Sequence, residues 1–347
     1  LASKARECGI IVEQAEDEIS AINMALGASF AGARSMTGTS GGGFALMAEG
    51  LSLAGMTETP IVVLLAQRPG PATGFPTRTE QGDLLFALHG GHGEFPRVIF
   101  APGSPEQAFS LTSKAFDLSQ KYQIPVLILT DQYLADSQWT YDSFDMKGLR
   151  YTEYRLRSDL LNEAAHYRRH AWTEDGVSPF AIPGGSRHVV VTDSDEHDEE
   201  GHITEDGETR RRMVEKRLFR KMDRLKQEIS PPFFHGHARP KIVVVGWGST
   251  FGVMKDAVDI LVRNNDIAMI HFSEVYPFPD RTGFDYLRLL EEAKLTICVE
   301  NNATGQFARL FRAETGFNFD VKINKYDGRP FTLDELLGEK NAHLRKL

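Results

Sequence analysis

Residues 60–83 read PIVVLLAQRPGPATGFPTRTEQGD. The first seven positions form a continuous apolar run. A strand covered by helices on both faces reads that way, and such strands belong to parallel sheets. The composition then changes abruptly. Gln67 and Arg68 stand at the carboxyl end of the run, and residues 69–83 hold three prolines and three glycines. That is a long, shaped loop, and loops of this kind are more often functional than not. In doubly wound sheets, ligands sit beyond the carboxyl ends of the strands. Arg68 is at such an end, where a guanidinium holds a carboxylate through two parallel hydrogen bonds. A salt bridge to a neighbouring acid is the structural alternative.

The neighbouring segments support the same architecture. Residues 9–12 read as a strand end. Residues 17–33 place Ile19, Ile22, Leu26 and Phe30 at helical spacing, with Ala, Gly and Ser between them. A helix built from such small residues packs very closely on a neighbour. Residues 34–39 predict a short strand, Ser40-Gly41-Gly42-Gly43 a sharp loop, and residues 44–54 a helix. Further strands are expected at 97–101 and 125–130, joined by a helix over 104–122 with Ser104 as cap and Pro105 in its first turn. Strand, helix and strand alternate, which is the pattern of an α/β domain with a parallel sheet.

The rhythm breaks between 141 and 235. Residues 193–208 hold nine acids and no Lys or Arg, and residues 210–226 hold nine bases and two acids. The charge pattern predicts an exposed acidic loop followed by a solvated basic helix. His197 and His202 lie among the carboxylates, which makes a metal site conceivable but weakly supported. Alternation resumes with strands at 241–246, 267–272 and 295–300 and helices at 253–263 and 284–292. The expected organisation is an α/β domain over 1–140, a connecting segment over 141–235 and a smaller α/β domain over 236–347.

Composition removes several classes of function. The chain has 347 residues and a net charge of −9, which is wrong for a general nucleic-acid binder. The longest apolar run is far below the roughly 20 residues of a membrane span. Two cysteines, Cys8 and Cys298, cannot build a disulfide framework, a structural zinc site or a cysteine-ligated iron–sulfur cluster. A reducing cytoplasm is the expected setting.

Four stretches could carry chemistry. Residues 14–21 (QAEDEISA) put Glu16, Asp17 and Glu18 at a helix start. Acids there complement the helix dipole whatever else they do. Glu18, however, leads into an apolar helix, where desolvation favours the protonated form. Thr37-Gly38-Thr39-Ser40-Gly41-Gly42-Gly43 lets a ligand approach the backbone closely. It lacks the Lys of a Walker loop and the GxGxxG order of a dinucleotide site. The Arg68 loop is the third stretch. Residues 246–252 (GWGSTFG) weakly resemble a phosphate-type turn. His89 and His92 flank a Gly-rich loop and read as loop residues before proton shuttles.

Taken together, these stretches resemble the alpha subunit of 2-oxoacid:ferredoxin oxidoreductases, most closely the 2-oxoglutarate synthase type. The matching pieces are residues 14–51 (QAEDEISAINMALGASFAGARSMTGTSGGGFALMAEGL), 56–84 (MTETPIVVLLAQRPGPATGFPTRTEQGDL), 174–184 (EDGVSPFAIPG), 195–202 (DEHDEEGH), 244–252 (VVGWGSTFG), 274–279 (EVYPFP) and 299–316 (VENNATGQFARLFRAETG). Seven ordered matches are far more specific than any one of them.

The resemblance implies a pyrimidine-type thiamine diphosphate-binding α/β domain followed by a transketolase C-terminal-like α/β domain. It implies oxidative decarboxylation of a 2-oxo acid to its acyl-CoA, with electrons passing to ferredoxin. The glutamate at the aminopyrimidine N1′ falls on Glu18, with Glu16 as the competing assignment. Thr39, Ser40, Gly41, Gly42 and Gly43 resemble the cofactor-contacting turn. The substrate-carboxylate arginine falls on Arg68. Arg78 and His92 are candidates for the second carboxylate of 2-oxoglutarate from loop position alone.

The family's Tyr-Pro-x-Thr-Pro loop is absent, so the chain reads as lacking its N-terminal part. The Gly-Asp-Gly motif of the diphosphate half-site is absent as well. Mg²⁺, the [4Fe-4S] cluster and the diphosphate half-site are therefore expected on a beta subunit, and no metal ligand is expected on this chain. The expected assembly is a hetero-oligomer, inactive as the isolated chain, that meets ferredoxin, coenzyme A and a 2-oxo acid. Pyruvate or branched-chain 2-oxo acids are alternative substrates. A non-catalytic α/β assembly subunit is the alternative role, and it leaves the Arg68 loop unexplained. A nicotinamide dehydrogenase needs a GxGxxG turn that neither glycine-rich loop supplies.

Overall fold

The computed structural model describes residues 1–147, 149 and 151–338. The apolar run forms strand β2 (Ile61–Gln67), almost wholly buried. It pairs in parallel with β1 (Met36–Ser40) on one side and β4 (Pro125–Asp131) on the other. With both edges bonded and helices on both faces, no position of β2 needs to be polar. β3 (Val98–Phe100) pairs in parallel with β4. The crossover into β4 is the Pro105–Tyr122 helix, whose Ser104 cap accepts from the Gln107 N–H.

A second sheet is built from β5 (Phe233–Gly236), β6 (Ile242–Trp247), β7 (Ile267–Phe272), β9 (Leu295–Glu300) and β10 (Val321–Asn324). Its order is β10-β9-β6-β7-β5, parallel except for β5. β8 (Glu274–Tyr276) lies in this half of the chain but pairs antiparallel with β3. The first sheet is therefore β1-β2-β4-β3-β8. One buried apolar cluster spans both halves: Ile22, Phe44 and Leu65 belong to it together with Trp247, Phe272 and Phe307.

Four details differ from the sequence reading. Residues 9–12 form no strand. They follow a short helix (Ala5–Cys8), and Ile11 is 89% exposed with no strand beside it to pair with. Ser40 to Gly43 is not a loop, because the glycines open the Gly41–Leu46 helix directly from β1. The Glu18–Phe30 helix buries Ile22, Leu26 and Ser29 rather than Ile19. Its close neighbour is the Ala48–Thr57 helix, where a Cβ on Gly50 would lie 2.7 Å from Ile22.

The basic helix is not a solvated surface. It runs through Gly207–Val214, a π-helical turn at Glu215–Arg220, and Lys221–Leu225. Lys216 and Lys221 are fully buried against Glu58, at 2.6 and 2.5 Å. His170 Nδ1 also meets the Glu58 carboxylate, at 3.0 Å. Burial alone would raise the Glu58 carboxyl, but the two ammonium groups and His170 pull it well below the usual range. Glu196, in the acidic loop, is clasped by Arg217 through two 2.8 Å bonds. His197 is buried, with Nδ1 on the Asp195 carbonyl, while His202 is exposed. No group of three or more His, Cys, Asp or Glu is arranged to hold a metal among the described residues.

Candidate active site

The site forms where β1 and β2 end and two helices begin. Asp17 caps the first helix: its carboxylate accepts the Ser20 N–H at 2.7 Å. Capping is thus done by Asp17, and Glu18, the first helical residue, is released for another task. Glu16 is exposed. Glu18 is half-buried and turns toward the end of β1, where the Thr39 hydroxyl donates to its Oε1 at 3.5 Å.

Beneath this pair lies Gly43, one turn into the next helix. A Cβ there would fall 2.1 Å from Thr39 Oγ1 and 2.4 Å from Glu18 Oε1. Glycine is required at that position by close approach, not by an unusual φ. Gly42 is exposed, and a Cβ on it would meet nothing within 4 Å. Ser40 stands at the N-cap but makes no side-chain cap bond.

Arg68 follows the last residue of β2 and is half-buried. The loop after it folds back on itself. The Phe75 N–H donates to the Pro69 carbonyl at 3.1 Å, and Gly74 takes φ +49° because that carbonyl oxygen occupies the place of a Cβ. The loop returns to Asp83, whose N–H donates to Gln67 Oε1 at 3.1 Å. The Asp83 carboxylate packs on Gly41, and its Oδ2 is buried without a hydrogen-bond partner. Burial pushes this carboxyl up to about 6, against the lowering pull of Arg68. Glu80 is raised by its own burial and then by Asp83.

Glu18, Thr39 and Gly43 are therefore in contact, and Arg68, Asp83 and Gly41 form a second group at the same strand ends. Arg78 and His92 are not brought to either group. Arg78 is exposed on the outer loop, with its Cβ and Cγ against Gly328 of the second sheet's half. His92 is exposed, donates its N–H to Ser52 Oγ at 2.7 Å, and lines a cavity of about 690 Å³ with Ile19, Asn23, Glu49 and Arg210. A larger cavity, about 850 Å³, lies between Phe219 and the 276–282 loop and contains none of the candidate residues.

Sequence reasoning passed over Asp83 because an Asp before Leu-Leu-Phe reads as a helix cap. It occupies that position for Leu84–His89 but makes no cap bond. Gln81 was also missed. Its Nε2 donates to the Trp247 carbonyl at 2.8 Å and its Oε1 accepts the Asn301 N–H at 2.9 Å, so the substrate-side loop is tied to the second sheet.

Comparison with known proteins agrees with this geometry. Residues 2–216 match the thiamine diphosphate-binding family of pyruvate flavodoxin/ferredoxin oxidoreductases. The alpha subunit of 2-oxoacid:ferredoxin oxidoreductase from Saccharolobus solfataricus is 41% identical over 338 residues, covering 95% of this chain and 52% of that one. The 2-oxoglutarate synthase subunit KorA of Methanocaldococcus jannaschii is 32% identical over 82% of this chain and 74% of its own length. Among solved structures, the 2-oxoglutarate:ferredoxin oxidoreductase of Magnetococcus marinus, with 2-oxoglutarate, coenzyme A and succinyl-CoA bound, superposes with a TM-score of 0.88. It is 33% identical, over 99% of this chain and 59% of that one. The chain spans about half the length of the first of these relatives. A carboxylate seated on a glycine at the end of β1, an arginine at the end of β2 and these matches lead to one conclusion: the chain belongs to the pyruvate flavodoxin/ferredoxin oxidoreductase family.

Proposed function

We propose that this chain is the alpha subunit of a thiamine diphosphate-dependent 2-oxoacid:ferredoxin oxidoreductase. It oxidatively decarboxylates a 2-oxo acid, 2-oxoglutarate foremost, to its acyl-CoA and reduces ferredoxin. The observation that carries this reading is the Glu18 carboxylate held by Thr39 over Gly43, where a Cβ would overlap both side chains. Such a cradle suits a flat, nitrogen-bearing ring laid close to the backbone. The bound 2-oxoglutarate in the Magnetococcus structure supports the substrate.

When bound, thiamine diphosphate supplies the nucleophilic carbon and the electron sink for decarboxylation. Glu18 holds and returns a proton at the ring nitrogen N1′, which is general acid–base work. Its half-buried position, one residue past the cap, aims the carboxylate inward. Thr39, Ser40 and residues 41–43 offer the surface on which that ring rests. Arg68 binds the 1-carboxylate of the substrate through its planar fork.

The diphosphate, its Mg²⁺ and the [4Fe-4S] cluster belong to a beta subunit in this reading, because Gly-Asp-Gly is absent and the two cysteines lie far apart. Cys8 is exposed, whereas Cys298 is buried beside Glu300. The setting is the cytoplasm. No described helix is long and apolar enough to cross a membrane.

The test is reduction of ferredoxin or a viologen by the chain with its beta subunit, across a panel of 2-oxo acids with coenzyme A. Activity is expected only from the complex, with 2-oxoglutarate turned over best. Turnover by the isolated chain, or none by the complex, would reject the reading.

A further inference from the structure

The loop that returns from Arg68 carries a carboxylate to which the mechanism above gives no task. Asp83 is fixed from three sides. Gln67 holds its N–H, and Gly41 lies so close that a Cβ there would sit 2.7 and 2.9 Å from its two oxygens. The third side is the loop itself, pinned to the second sheet's half. There Gln81 bonds Trp247 and Asn301, Gln306 bonds Gly82 and Leu85, and the Thr79 N–H donates to the Gly328 carbonyl. Asp83 therefore cannot swing away into water, and its Oδ2 stays buried without a partner.

We propose that Asp83 is a positioning residue that acts through Arg68. Its carboxylate opposes the guanidinium and competes with the substrate carboxylate for it, so that binding of the 2-oxo acid is accompanied by uptake of a proton on Asp83. The proposal rests on the assignment of Arg68 to the substrate carboxylate.

The charges fix the sign. Among the described residues, the charged groups acting on Asp83 are Arg68, from the end of β2, and Glu80, on its own loop. The facing turns at 41–43 and 84–86 bring no charged side chain, and Asn301 and Gln306 from the second half are neutral. Burial already pushes the Asp83 carboxyl up to about 6. A substrate carboxylate arriving at Arg68 is a like charge and raises it further. Below pH 6 Asp83 is neutral and Arg68 is fully available. Above it, the substrate binds against an ionised neighbour or brings a proton with it.

The experiment uses the full chain assembled with its beta subunit. Binding of N-oxalylglycine, a 2-oxoglutarate mimic that cannot decarboxylate, is followed calorimetrically at pH 7 in two buffers of different ionisation heat. Uptake of roughly one proton per site is expected. In turnover, KM for 2-oxoglutarate should rise about tenfold from pH 6 to pH 8, the low end of what one like charge does to a carboxylate. Asp83→Asn should abolish the proton uptake and flatten the profile, lowering KM at pH 8, with kcat moving less than KM.

An Asp83→Asn complex that keeps the wild-type proton uptake and KM slope overturns the proposal. Should the variant fail to assemble, the wild-type protein decides alone: binding of the probe without proton uptake overturns it. Arg68→Lys separates the two levels. If it weakens the probe while Asp83→Asn changes nothing, only this inference falls. If the wild-type complex does not bind the probe, the assignment of Arg68 falls with it.

Discussion

Replacing Gly43 by alanine adds one methyl group where Thr39 and Glu18 already are. The new Cβ would lie 2.1 Å from Thr39 Oγ1 and 2.4 Å from Glu18 Oε1. Ordinary van der Waals contact starts near 3.4 Å, so the carboxylate must retreat by about an ångström. A misplacement of that size at a reacting group costs about 10²-fold in rate. The fold should tolerate the change. Both overlapping atoms are side-chain tips, and alanine favours a helix over glycine by about 1 kcal/mol. Gly42→Ala, whose Cβ meets nothing, reports that propensity gain alone.

The assays are kcat of the assembled complex, thiamine diphosphate affinity and melting temperature on the same samples. The expected pattern is a kcat loss near 10²-fold with melting temperature held or slightly raised. Thr39→Ala combined with Gly43→Ala removes the 2.1 Å overlap but leaves the one with Glu18, so it should not restore the rate. Wild-type kcat in Gly43→Ala would refute the placement of Glu18 at the reacting ring.

Four further outcomes are expected. Glu18→Gln is nearly isosteric and should slow turnover by about 10²–10⁴-fold while the protein stays folded; an inactive Glu16→Gln beside an active Glu18→Gln would move the assignment by two residues. Arg68→Lys keeps the charge but loses the planar fork, and should lower kcat/KM for the 2-oxo acid by about 10- to 150-fold, with melting temperature unchanged; a lowered melting temperature with intact kinetics would make Arg68 a structural salt bridge. Glu58→Gln leaves Lys216 and Lys221 buried without their counter-ion and should destabilise the chain by about 3–5 kcal/mol in denaturant titrations. His271 is fully buried with Nε2 on the Gly248 carbonyl, and burial pushes it down to about 4. The unfolded chain takes up this proton near pH 6.5, so roughly 3 kcal/mol of stability should be lost as pH falls from 6.5 to 4. Stability measured across that range should slope less in His271→Asn, and equal slopes would count against it.

The parallel sheets were legible because a strand bonded on both edges and covered on both faces leaves a continuous apolar run. β2 shows this, and so do β7 and β9, whose bounds match the reading residue for residue. Glu18, Thr39 and Gly43 were legible as a constellation, but the conformation of the glycine triplet was not. Three glycines disfavour a helix locally, and the helix forms because Phe44 is fully buried and Gly43 must sit against Glu18.

What stayed hidden depends on partners distant in the chain. Lys216 and Lys221 read as solvated until Glu58, more than 150 residues earlier, is placed between them. Asp83 reads as a cap until its carboxylate is seen on Gly41. The Glu-Val-Tyr of β8 is too short to announce a strand, and nothing local says that it joins the other sheet.

That last pairing bears on how the chain is made. Phe100 waits for Glu274, about 170 residues later in synthesis. At roughly 5–20 residues per second, the free edge of β3 stays open for about ten to thirty-five seconds after it emerges. An open edge with the sequence Val-Ile-Phe is a template for pairing with another nascent chain. Expression at lower temperature with chaperone support should therefore favour the native strand over its competitors, and a chain cut after residue 216 would keep that edge open for good.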